Sequence, residues 1–315
     1  MAITLKDRVA IVTGGGGGLG REYALALAKA GAKVVVNDYG GDAQGNAGTI
    51  NRAQSVVNEI KALGGSAIAN GSDVSTDAKE IVQSAVDAYG RLDILINNAG
   101  IMGKVSPHDD VDVANFRRVL EVSAVGTVMM VSAAYPIMQK QKHGRIINVS
   151  SSAIMGMEAG GDCAYSASKG AVFAMTREMG RFGPQFGIKV NALMPAGMSR
   201  MASEPRIAEF MRKYCPAHKV APFVSLLSSD ECPISGEIFS VGAGRAARVT
   251  LATFPGSNQS TPEGYLHDFD NVMGNPKDIH IPKSTADDAI YLVKNATGDN
   301  VQALADFGIP IGTEL

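Results

Sequence analysis

Tyr165 and Lys169 are the residues whose types and spacing point most directly to catalysis. They stand at positions i and i+4 of a predicted helix over residues 162–182, so both side chains leave the same helix face. A neutral phenol, with a pKa near ~10, is a poor base at neutral pH. A neighbouring ammonium favours the phenolate and lowers that pKa. The pair therefore predicts a tyrosine that takes a proton from an alcohol or returns one to a ketone.

Three consecutive serines precede this pair, at the end of a predicted strand with the sequence GRIINVSSS. A tyrosine that works in this way needs a partner that holds the substrate oxygen. A serine hydroxyl is suitable, because it can donate a hydrogen bond to a carbonyl or an alkoxide. The candidates are Ser150, Ser151 and Ser152.

A glycine-rich loop, TGGGGGLG, occupies residues 13–20 between a predicted strand and a predicted helix. Gly14 permits a tight turn, Gly18 lets the backbone approach a pyrophosphate, and Gly20 allows close packing of the helix on the strand. The first helical turn, which includes Leu19, offers N–H groups and a partial positive charge to phosphates. Strand, glycine loop and helix in this order predict a dinucleotide site.

An acidic residue, Asp38, ends the second predicted strand. Its carboxylate can accept hydrogen bonds from ribose hydroxyls, and it would repel a 2′-phosphate. Neither Gly15 nor Tyr39 supplies a compensating cation, so we expect NAD rather than NADP as the cofactor. Asp73 and Val74 follow the third predicted strand, where we expect them to flank the adenine.

Apolar, β-branched runs alternate with helical patterns along most of the chain. The predicted strands cover residues 8–13, 34–37, 67–70, 91–100, 144–152, 188–195 and 239–244, and a long helix covers 112–139. This alternation predicts an α/β fold, a single Rossmann-like, doubly wound parallel sheet of about seven strands. Ligands of such sheets bind beyond the carboxyl ends of the strands.

The alternating pattern lapses after about residue 245. We therefore expect a dinucleotide-binding catalytic domain over residues 1–245 and a C-terminal extension over 246–315. Residues 255–283 predict an irregular arm, and residues 287–298 predict one amphipathic helix. The extension is suited equally to wrapping a neighbouring subunit and to covering the active site.

The composition of the 315 residues is that of an ordinary globular protein, with 45% apolar and 19% charged residues. A net charge of -2 offers no basic surplus for nucleic acid or an anionic membrane, and there is no run of eighteen apolar residues to predict a membrane-spanning helix. The N-terminus lacks the pattern of a secretory signal. Cys163, Cys215 and Cys232 have the spacing of neither a disulfide framework nor a metal site. We expect a cytoplasmic protein that binds no metal.

Taken together, the motifs resemble the short-chain dehydrogenase/reductase family over about residues 5–245. They are TGGGGGLG at 13–20, the turn at 97–100, the serines at 150–152, Tyr165-Ser-Ala-Ser-Lys169 and the segment 191–195. Three further segments are similar to the (3R)-hydroxyacyl-CoA dehydrogenase domains of peroxisomal multifunctional enzymes: VVVNDYGGD at 34–42, SRM at 199–201 and VGAG at 241–244. The resemblance implies a homodimer or homotetramer. It also implies cofactor-binding roles for Asn98, Ala99, Gly100, Tyr165, Lys169 and Pro195.

The resemblance also bears on the choice of serine and on the proton path. Counting along the strand from its start places the family's catalytic serine at Ser151, whereas counting back from Tyr165 places it at Ser152. We favour Ser151, because the loop after the strand absorbs an extra residue more easily than a paired strand does. Many family members carry a relay asparagine on the long helix, where this sequence has Ser123. The predicted path for protons between Lys169 and solvent therefore differs from that of these family members, because a serine replaces the asparagine.

Methionines follow several predicted strand ends, where the family builds its substrate pocket. They are Met102, Met155, Met157, Met194, Met198 and Met201. Thioethers adapt to irregular apolar ligands, so we expect a bulky hydrophobic secondary alcohol or its ketone as the substrate. One alternative is a (3R)-hydroxyacyl-CoA, whose phosphates could use cations such as Arg200 and Arg206; another is a dinucleotide-binding regulator without turnover. Cys163 is expected to pack rather than to react.

Overall fold

The computed structural model describes residues 3–42, 48–157, 163–199, 205–283 and 285–297. Residues 9–249 contain one eight-stranded sheet. The strands are β1 (Val9–Thr13), β2 (Lys33–Asn37), β3 (Ser66–Asn70), β4 (Ile94–Asn97), β5 (Gly144–Val149), β6 (Ile188–Ala196), β7 (Ile238–Gly242) and β8 (Arg245–Val249). They lie in the order β3-β2-β1-β4-β5-β6-β7-β8. The predicted α/β fold is confirmed, with eight strands rather than about seven.

Strands β1 to β7 are parallel, and β8 pairs antiparallel with β7. The inner strands read as continuous apolar runs because helices cover both faces of the sheet; all five residues of β1 are buried. The sequence did not predict β8. Its segment RAARV intersperses arginines among small residues, and three of its five positions are exposed.

Helices cover the sheet on both faces. The α-helices between residues 9 and 249 are α1 (Gly18–Lys29), α2 (Asn51–Ala62), α3 (Ala78–Tyr89), α4 (Val113–Leu120), α5 (Gly126–Gln141), α6 (Cys163–Phe182), α7 (Pro205–Tyr214) and α8 (Ala221–Leu227). The described residues after 249 form α9 (Pro262–His267), α10 (Phe269–Met273) and α11 (Thr285–Thr297). Helices α1, α2 and α8 pack with Ala10 and Val12 of β1 on one face. Helices α3, α4 and α5 pack with Val9 and Ile11 on the other, as the alternation of side chains along a strand requires.

Buried asparagines join neighbouring strands at their carboxyl ends. Asn37 Nδ2 donates to Asn70 Oδ1 over 2.9 Å, and Asn97 Nδ2 donates to Asn148 Oδ1 over 2.9 Å. Asn148 Nδ2 in turn donates to Thr176 Oγ1 of α6, also over 2.9 Å. Buried amides need partners. These bonds therefore fix the strand ends against one another and against the helix that carries the tyrosine.

The predicted long helix consists of α4, a π-helical turn at Glu121–Val125, and α5. The whole stretch Val113–Gln141 has the length and composition of a membrane span, although the sequence has no uninterrupted run that predicts one. Helix α4 packs on α6, α5 packs on α3, and Met130 and Met138 are buried in the core. Core helices satisfy the same two criteria, so the absence of a membrane span stays a prediction.

By internal contacts the chain divides into two compact units, Met1–Val249 and Thr250–Leu315. The predicted boundary after residue 245 falls at the start of β8 and stays a prediction. In the second unit, the expectation of an irregular arm over residues 255–283 is wrong, because α9 and α10 lie within it. Thr261 caps α9 by accepting a hydrogen bond from Gly264 N–H at 3.0 Å.

Candidate active site

The glycine loop lies between β1 and α1 in a conformation that requires its glycines. Gly14 and Gly18 have φ angles of +61° and +52°, in the left-handed region. A Cβ on Gly20 would lie 2.1 Å from the carbonyl oxygen of Gly14, so no larger residue fits. Gly17, the N-cap of α1, has no side chain to cap the helix, and a Cβ there would meet nothing within 4 Å. This open helix N-terminus behind close-packed glycines fits the diphosphate of a dinucleotide.

Asn98 holds the glycine loop in place. Its Nδ2 donates to the carbonyl oxygens of Thr13 (2.9 Å) and Gly14 (3.1 Å). The backbone N–H groups of Asn98 and Ala99 both donate to Thr13 Oγ1 at 3.0 Å. The cofactor-binding role that the family resemblance implies for Asn98 stays a prediction; in the structure its amide nitrogen positions the glycine loop. Its partners lie 84 and 85 residues away, too far for a sequence pattern to reveal them.

Asp38 is buried beside the glycine loop, with 4% of its surface exposed. Its Oδ2 accepts a hydrogen bond from Gly16 N–H (2.8 Å), and its Oδ1 accepts one from Gly40 N–H (2.7 Å). Arg52 of α2 comes close to the same place: a Cβ on Gly16 would lie 2.7 Å from Arg52 Cβ and 2.7 Å from Asp38 Oδ2. The guanidinium of Arg52 donates from Nη1 to the carbonyl oxygen of Gly41 at 3.1 Å, a cation that the residues adjacent to Asp38 in sequence do not reveal.

Six predicted cofactor residues line one cleft. They are Gly14, Asp38, Asp73, Val74, Ala99 and Gly100. Arg118 of α4, which the sequence did not predict, lines the same cleft, and its Nη2 pairs with Asp73 Oδ2 at 3.1 Å. Asp73 Oδ1 also accepts from the N–H (2.8 Å) and the hydroxyl (2.7 Å) of Ser75. Burial alone raises the pKa of Asp73, but Ser75 and Arg118 outweigh burial and hold that pKa below its ordinary value.

Two further cofactor candidates, Leu19 and Pro195, are not among the residues that line this cleft. Leu19, in the first turn of α1, lies against Gly197, where a Cβ would come 2.5 Å from Leu19 Cδ2. Pro195, near the end of β6, is half-buried and opposite Val241 of β7. Leu19 therefore lies against the segment that follows β6, and Pro195 lies within that strand.

Tyr165 and Lys169 lie one turn apart on α6, with Lys169 Nζ 5.7 Å from the centre of the Tyr165 ring. Lys169 is buried, with 3% of its surface exposed, and its Nζ donates to the carbonyl oxygen of Val149 at 2.7 Å. Ser151 hydrogen-bonds to the Tyr165 side chain. The structure thus brings Ser151, Tyr165 and Lys169 together just beyond the carboxyl end of β5.

The two neighbouring serines have different surroundings. Ser150 is buried, and its hydroxyl donates to the carbonyl oxygen of Lys169 at 2.8 Å. Ser152 is exposed and begins a short 3-10 turn. Ser151 precedes that turn and caps it, since its Oγ accepts a hydrogen bond from Ala153 N–H at 3.2 Å. The turn therefore orients the Ser151 hydroxyl that contacts the tyrosine.

Ser123, at the position of the relay asparagine, is buried in the π-helical turn. Its Oγ accepts from Ile101 N–H at 3.3 Å, and its carbonyl oxygen accepts from the Thr127 hydroxyl at 2.8 Å. A Cβ on Gly100 would lie 3.2 Å from Ser123 Oγ and 3.3 Å from Lys169 Nζ. The Ser123 hydroxyl and the Lys169 ammonium therefore lie on either side of a space that is open because residue 100 is a glycine.

Burial disfavours the charged forms of both catalytic side chains. It lowers the pKa of Lys169 to about 8. It also raises the pKa of Tyr165, and the hydrogen bond with Ser151 offsets only part of that rise. The predicted lowering of this pKa by the ammonium together with a bound nicotinamide stays a prediction, because the direction found here is that of the protein alone. Burial of the phenol is the largest influence on its pKa, and the Nζ of Lys169 donates to the carbonyl oxygen of Val149.

The predicted methionine cluster is only partly beside the catalytic group. Met194 is buried, 3% exposed, in a core cluster with residues of α6 and β7, so its assignment to the substrate pocket is wrong. Met155 and Met157 are exposed just beyond β5, and their place in a substrate pocket stays a prediction. Arg200 and Met201 lie outside the described residues. Met102 and Met198 are half-buried, and a substrate-pocket role for them stays a prediction.

Cys163, predicted to pack, is instead exposed at the start of α6. Its Sγ lies 3.3 Å from Nδ1 of His108, a contact between the start of α6 and the loop before α4 that the sequence could not reveal.

The chain matches the family model of the short chain dehydrogenases over residues 8–208. It is 37% identical over 277 residues to a peroxisomal hydratase-dehydrogenase-epimerase of Saccharomyces cerevisiae, a match that covers 86% of this chain and 30% of the relative. It is 38% identical over 280 residues to peroxisomal multifunctional enzyme A of Dictyostelium discoideum, covering 86% of this chain and 62% of that protein. The chain thus spans less than two thirds of the length of either relative.

One similar solved structure is a 7α-hydroxysteroid dehydrogenase complexed with NADH and 7-oxo glycochenodeoxycholic acid. Its TM-score is 0.68 at 29% sequence identity, and the match covers 77% of this chain and 95% of that one. The resemblance to the dehydrogenase domains of peroxisomal multifunctional enzymes is confirmed. This chain belongs to the short-chain dehydrogenase family, whose members use NAD or NADP, and it is an oxidoreductase that acts on CH–OH groups.

Proposed function

We propose that this protein interconverts a bulky hydrophobic secondary alcohol and its ketone, with NAD as the cofactor and Tyr165 as the general acid and base. The observation that carries the proposal is the convergence of Ser151, Tyr165 and buried Lys169 at the strand edge that also holds the glycine loop. A pure dinucleotide-binding regulator has no need of such a group.

The proton chemistry follows from the positions of the three side chains. Bound nicotinamide supplies the acceptor or donor of the hydride. Ser151 holds the substrate oxygen, because its hydroxyl already lies within hydrogen-bond reach of the phenol. Tyr165 removes the hydroxyl proton during oxidation and returns it during reduction. Lys169, with a pKa of about 8, is protonated at neutral pH and supplies the nearby positive charge that favours the phenolate.

The preference for NAD rests on Asp38. Two backbone N–H groups hold its carboxylate beside the glycine loop and in the cleft, where a 2′-phosphate would meet a fixed negative charge. Arg52 is the residue that could weaken this preference, since its Cβ lies near the same carboxylate and its Nη1 donates to Gly41, which lines the cleft. The two backbone bonds favour Asp38 as the group that faces the ribose.

The substrate class rests on the exposed apolar side chains beyond β5, Met155 and Met157. The bile-acid ligand of the similar hydroxysteroid dehydrogenase supports a bulky alcohol or ketone. The second candidate is a (3R)-hydroxyacyl-CoA, which the peroxisomal relatives favour. A homodimer or homotetramer and a cytoplasmic location remain our proposals for assembly and compartment; the family is typically oligomeric, and the relatives are peroxisomal.

The deciding experiment assays the purified chain with steroid, terpene and aromatic secondary alcohols and with a (3R)-hydroxyacyl-CoA, each with NAD⁺ and with NADP⁺. We expect formation of reduced cofactor with NAD⁺ and at least one bulky alcohol. Turnover of the thioester alone would replace the first candidate by the second. Folded protein that binds NADH but oxidises none of these compounds would contradict the enzymatic assignment.

A further inference from the structure

A second cleft lies outside the catalytic site, on the first unit. It is formed by the 3-10 turn Ala217–Lys219, helix α8 and the hairpin between β7 and β8, and its volume is about 530 Å³. It shares no lining residue with the cofactor cleft. A volume of this size is typical of sites for small organic ligands, which range over roughly 300–1,000 Å³.

One side of this second cleft is positively charged. His218, Lys219 and Arg245 line it, and no aspartate or glutamate does. Among the residues that the structure describes, none of these three has a carboxylate within ion-pair distance. Two exposed cations and a histidine therefore lie around one cavity without a described counter-charge, in a chain whose net charge is -2, and this arrangement favours an anion.

The other side of the cleft is apolar and firmly supported. Phe223 is half-buried and packs edge-to-face on Phe239, with ring centres 5.0 Å apart. Val241 is buried in the core, and Leu226 is half-buried beside it. Because the core residues beneath them hold these side chains in place, a ligand can contact the apolar wall without rearrangement of the protein.

We propose that this second cleft binds an amphipathic anion, an alkyl chain that ends in a carboxylate or a phosphate monoester. The head group would lie between Lys219 and Arg245, and the chain would cover Phe223 and Leu226. Inorganic phosphate would leave the apolar wall in contact with water, and a neutral alcohol would leave the cations unpaired. A molecule with both parts satisfies both walls.

Binding is tested by titrating the full chain, saturated with NADH, with dodecanoate and dodecyl phosphate below their micelle concentrations in a calorimeter. We expect one site in the micromolar range for at least one of them; the pair separates the two head groups. Dodecan-1-ol and inorganic phosphate should bind at least tenfold more weakly, which corresponds to about 1.4 kcal/mol. Equal binding of dodecan-1-ol would overturn the role of the cations.

Variants place the ligand in this cleft rather than in the substrate site. The double variant Lys219→Gln, Arg245→Gln should weaken binding at least tenfold, with unchanged NADH affinity and alcohol turnover. The matched control, Lys61→Gln with Arg117→Gln, removes two exposed cations elsewhere and should bind as the wild type does. Equal affinity of the double variant and the control would overturn the proposal.

A direct reporter is available because the chain contains no tryptophan. Phe223→Trp should change its fluorescence on saturation with dodecanoate, whereas Phe182→Trp, at an exposed position on α6, should not. An unchanged Phe223→Trp signal would place the ligand elsewhere. A different result would be that no ligand binds and that the Lys219 and Arg245 double variant sediments with a smaller mass than the wild type. This result would show that a second copy of the chain covers the cleft, and it would also overturn the proposal.

Discussion

The cofactor side and the catalytic side of the site differ in how the protein satisfies their polar groups. On the cofactor side, Asp38 accepts two backbone hydrogen bonds, Asp73 is paired with a cation, and the Asn98 amide is engaged by the glycine loop. On the catalytic side, Lys169 is a buried cation without an ion pair among the described residues, and burial disfavours the phenolate of Tyr165.

The difference indicates which parts of the site are built for stability and which for reaction. Satisfied polar groups fix the shape of the cofactor side before any ligand binds. On the catalytic side, burial instead disfavours the charged forms of Lys169 and Tyr165. A bound positive ring and a substrate oxygen would then favour those charges only when the reaction requires them. Substitutions on the two sides should therefore affect turnover, cofactor affinity and stability differently.

The largest expected effect is that of Tyr165→Phe. Loss of the general acid and base should lower turnover about 10⁴-fold, the upper end for such groups, with little change in NADH affinity. Tyr135→Phe is the matched control, since that hydroxyl has no hydrogen-bond partner in the described structure and lies on α5. Turnover by steady-state assay and NADH binding by titration check both variants. If Tyr165→Phe retained turnover or lost NADH binding, Tyr165 would not be a residue that serves the reaction rather than cofactor binding.

Lys169→Met should lower turnover about 10³-fold and yet stabilise the fold. The pKa of this lysine falls from 10.5 to about 8 on folding, so carrying the buried charge at pH 7 costs about 3 kcal/mol. Between pH 8 and 10.5 the unfolded chain binds more protons, so the wild-type free energy of unfolding should rise with pH there. Urea unfolding of both proteins at pH 7 and pH 10 checks this. A Lys169→Met variant with a lower free energy of unfolding than the wild type at pH 7 would show that the buried charge does not destabilise the fold.

The pair Ser151→Ala and Ser152→Ala sharpens the assignment of the third group. Loss of the hydroxyl that holds the substrate oxygen should lower turnover about 10²-fold for Ser151→Ala. Ser152 is exposed, so its variant should keep turnover within about twofold of the wild type, as is usual for surface positions. Steady-state assays of both variants decide between the two serines, and the reverse ranking would move the role to Ser152.

Asn98→Ala should have the smallest effect, and mainly on binding. It leaves the carbonyl oxygens of Thr13 and Gly14 without their amide partner, a loss of about 1–3 kcal/mol in loop stability. We expect NADH to bind roughly tenfold more weakly, with turnover at saturating cofactor nearly unchanged. Titration and saturation kinetics separate these quantities. A larger loss in turnover than in affinity would place Asn98 in the reacting group.

Features set by local pattern could be predicted from the sequence. The glycine loop, the alternating strands and helices, and the spacing of Tyr165 and Lys169 are all short-range. The start of α9 also carried a readable signal, because Thr261 is a good N-cap and Pro262 suits the first helical turn.

What the sequence missed depends on contacts between distant segments. Arg118 reaches Asp73 across 45 residues, and Asn98 reaches the glycine loop across 85. The π-helical turn at Ser123 lies inside an uninterrupted helical pattern. The direction of the Tyr165 pKa shift depends on burial, which spacing alone does not reveal.

The most direct test of the central claim uses a secondary alcohol from the substrate panel, deuterated at its carbinol carbon. With NAD⁺ and wild-type protein, we predict that each NADH formed carries one deuterium and that each alcohol becomes a ketone. Tyr165→Phe, with NAD⁺ still bound, should form almost no labelled NADH. NADH without deuterium, or labelled NADH formed equally fast by Tyr165→Phe, would contradict direct hydride transfer assisted by Tyr165.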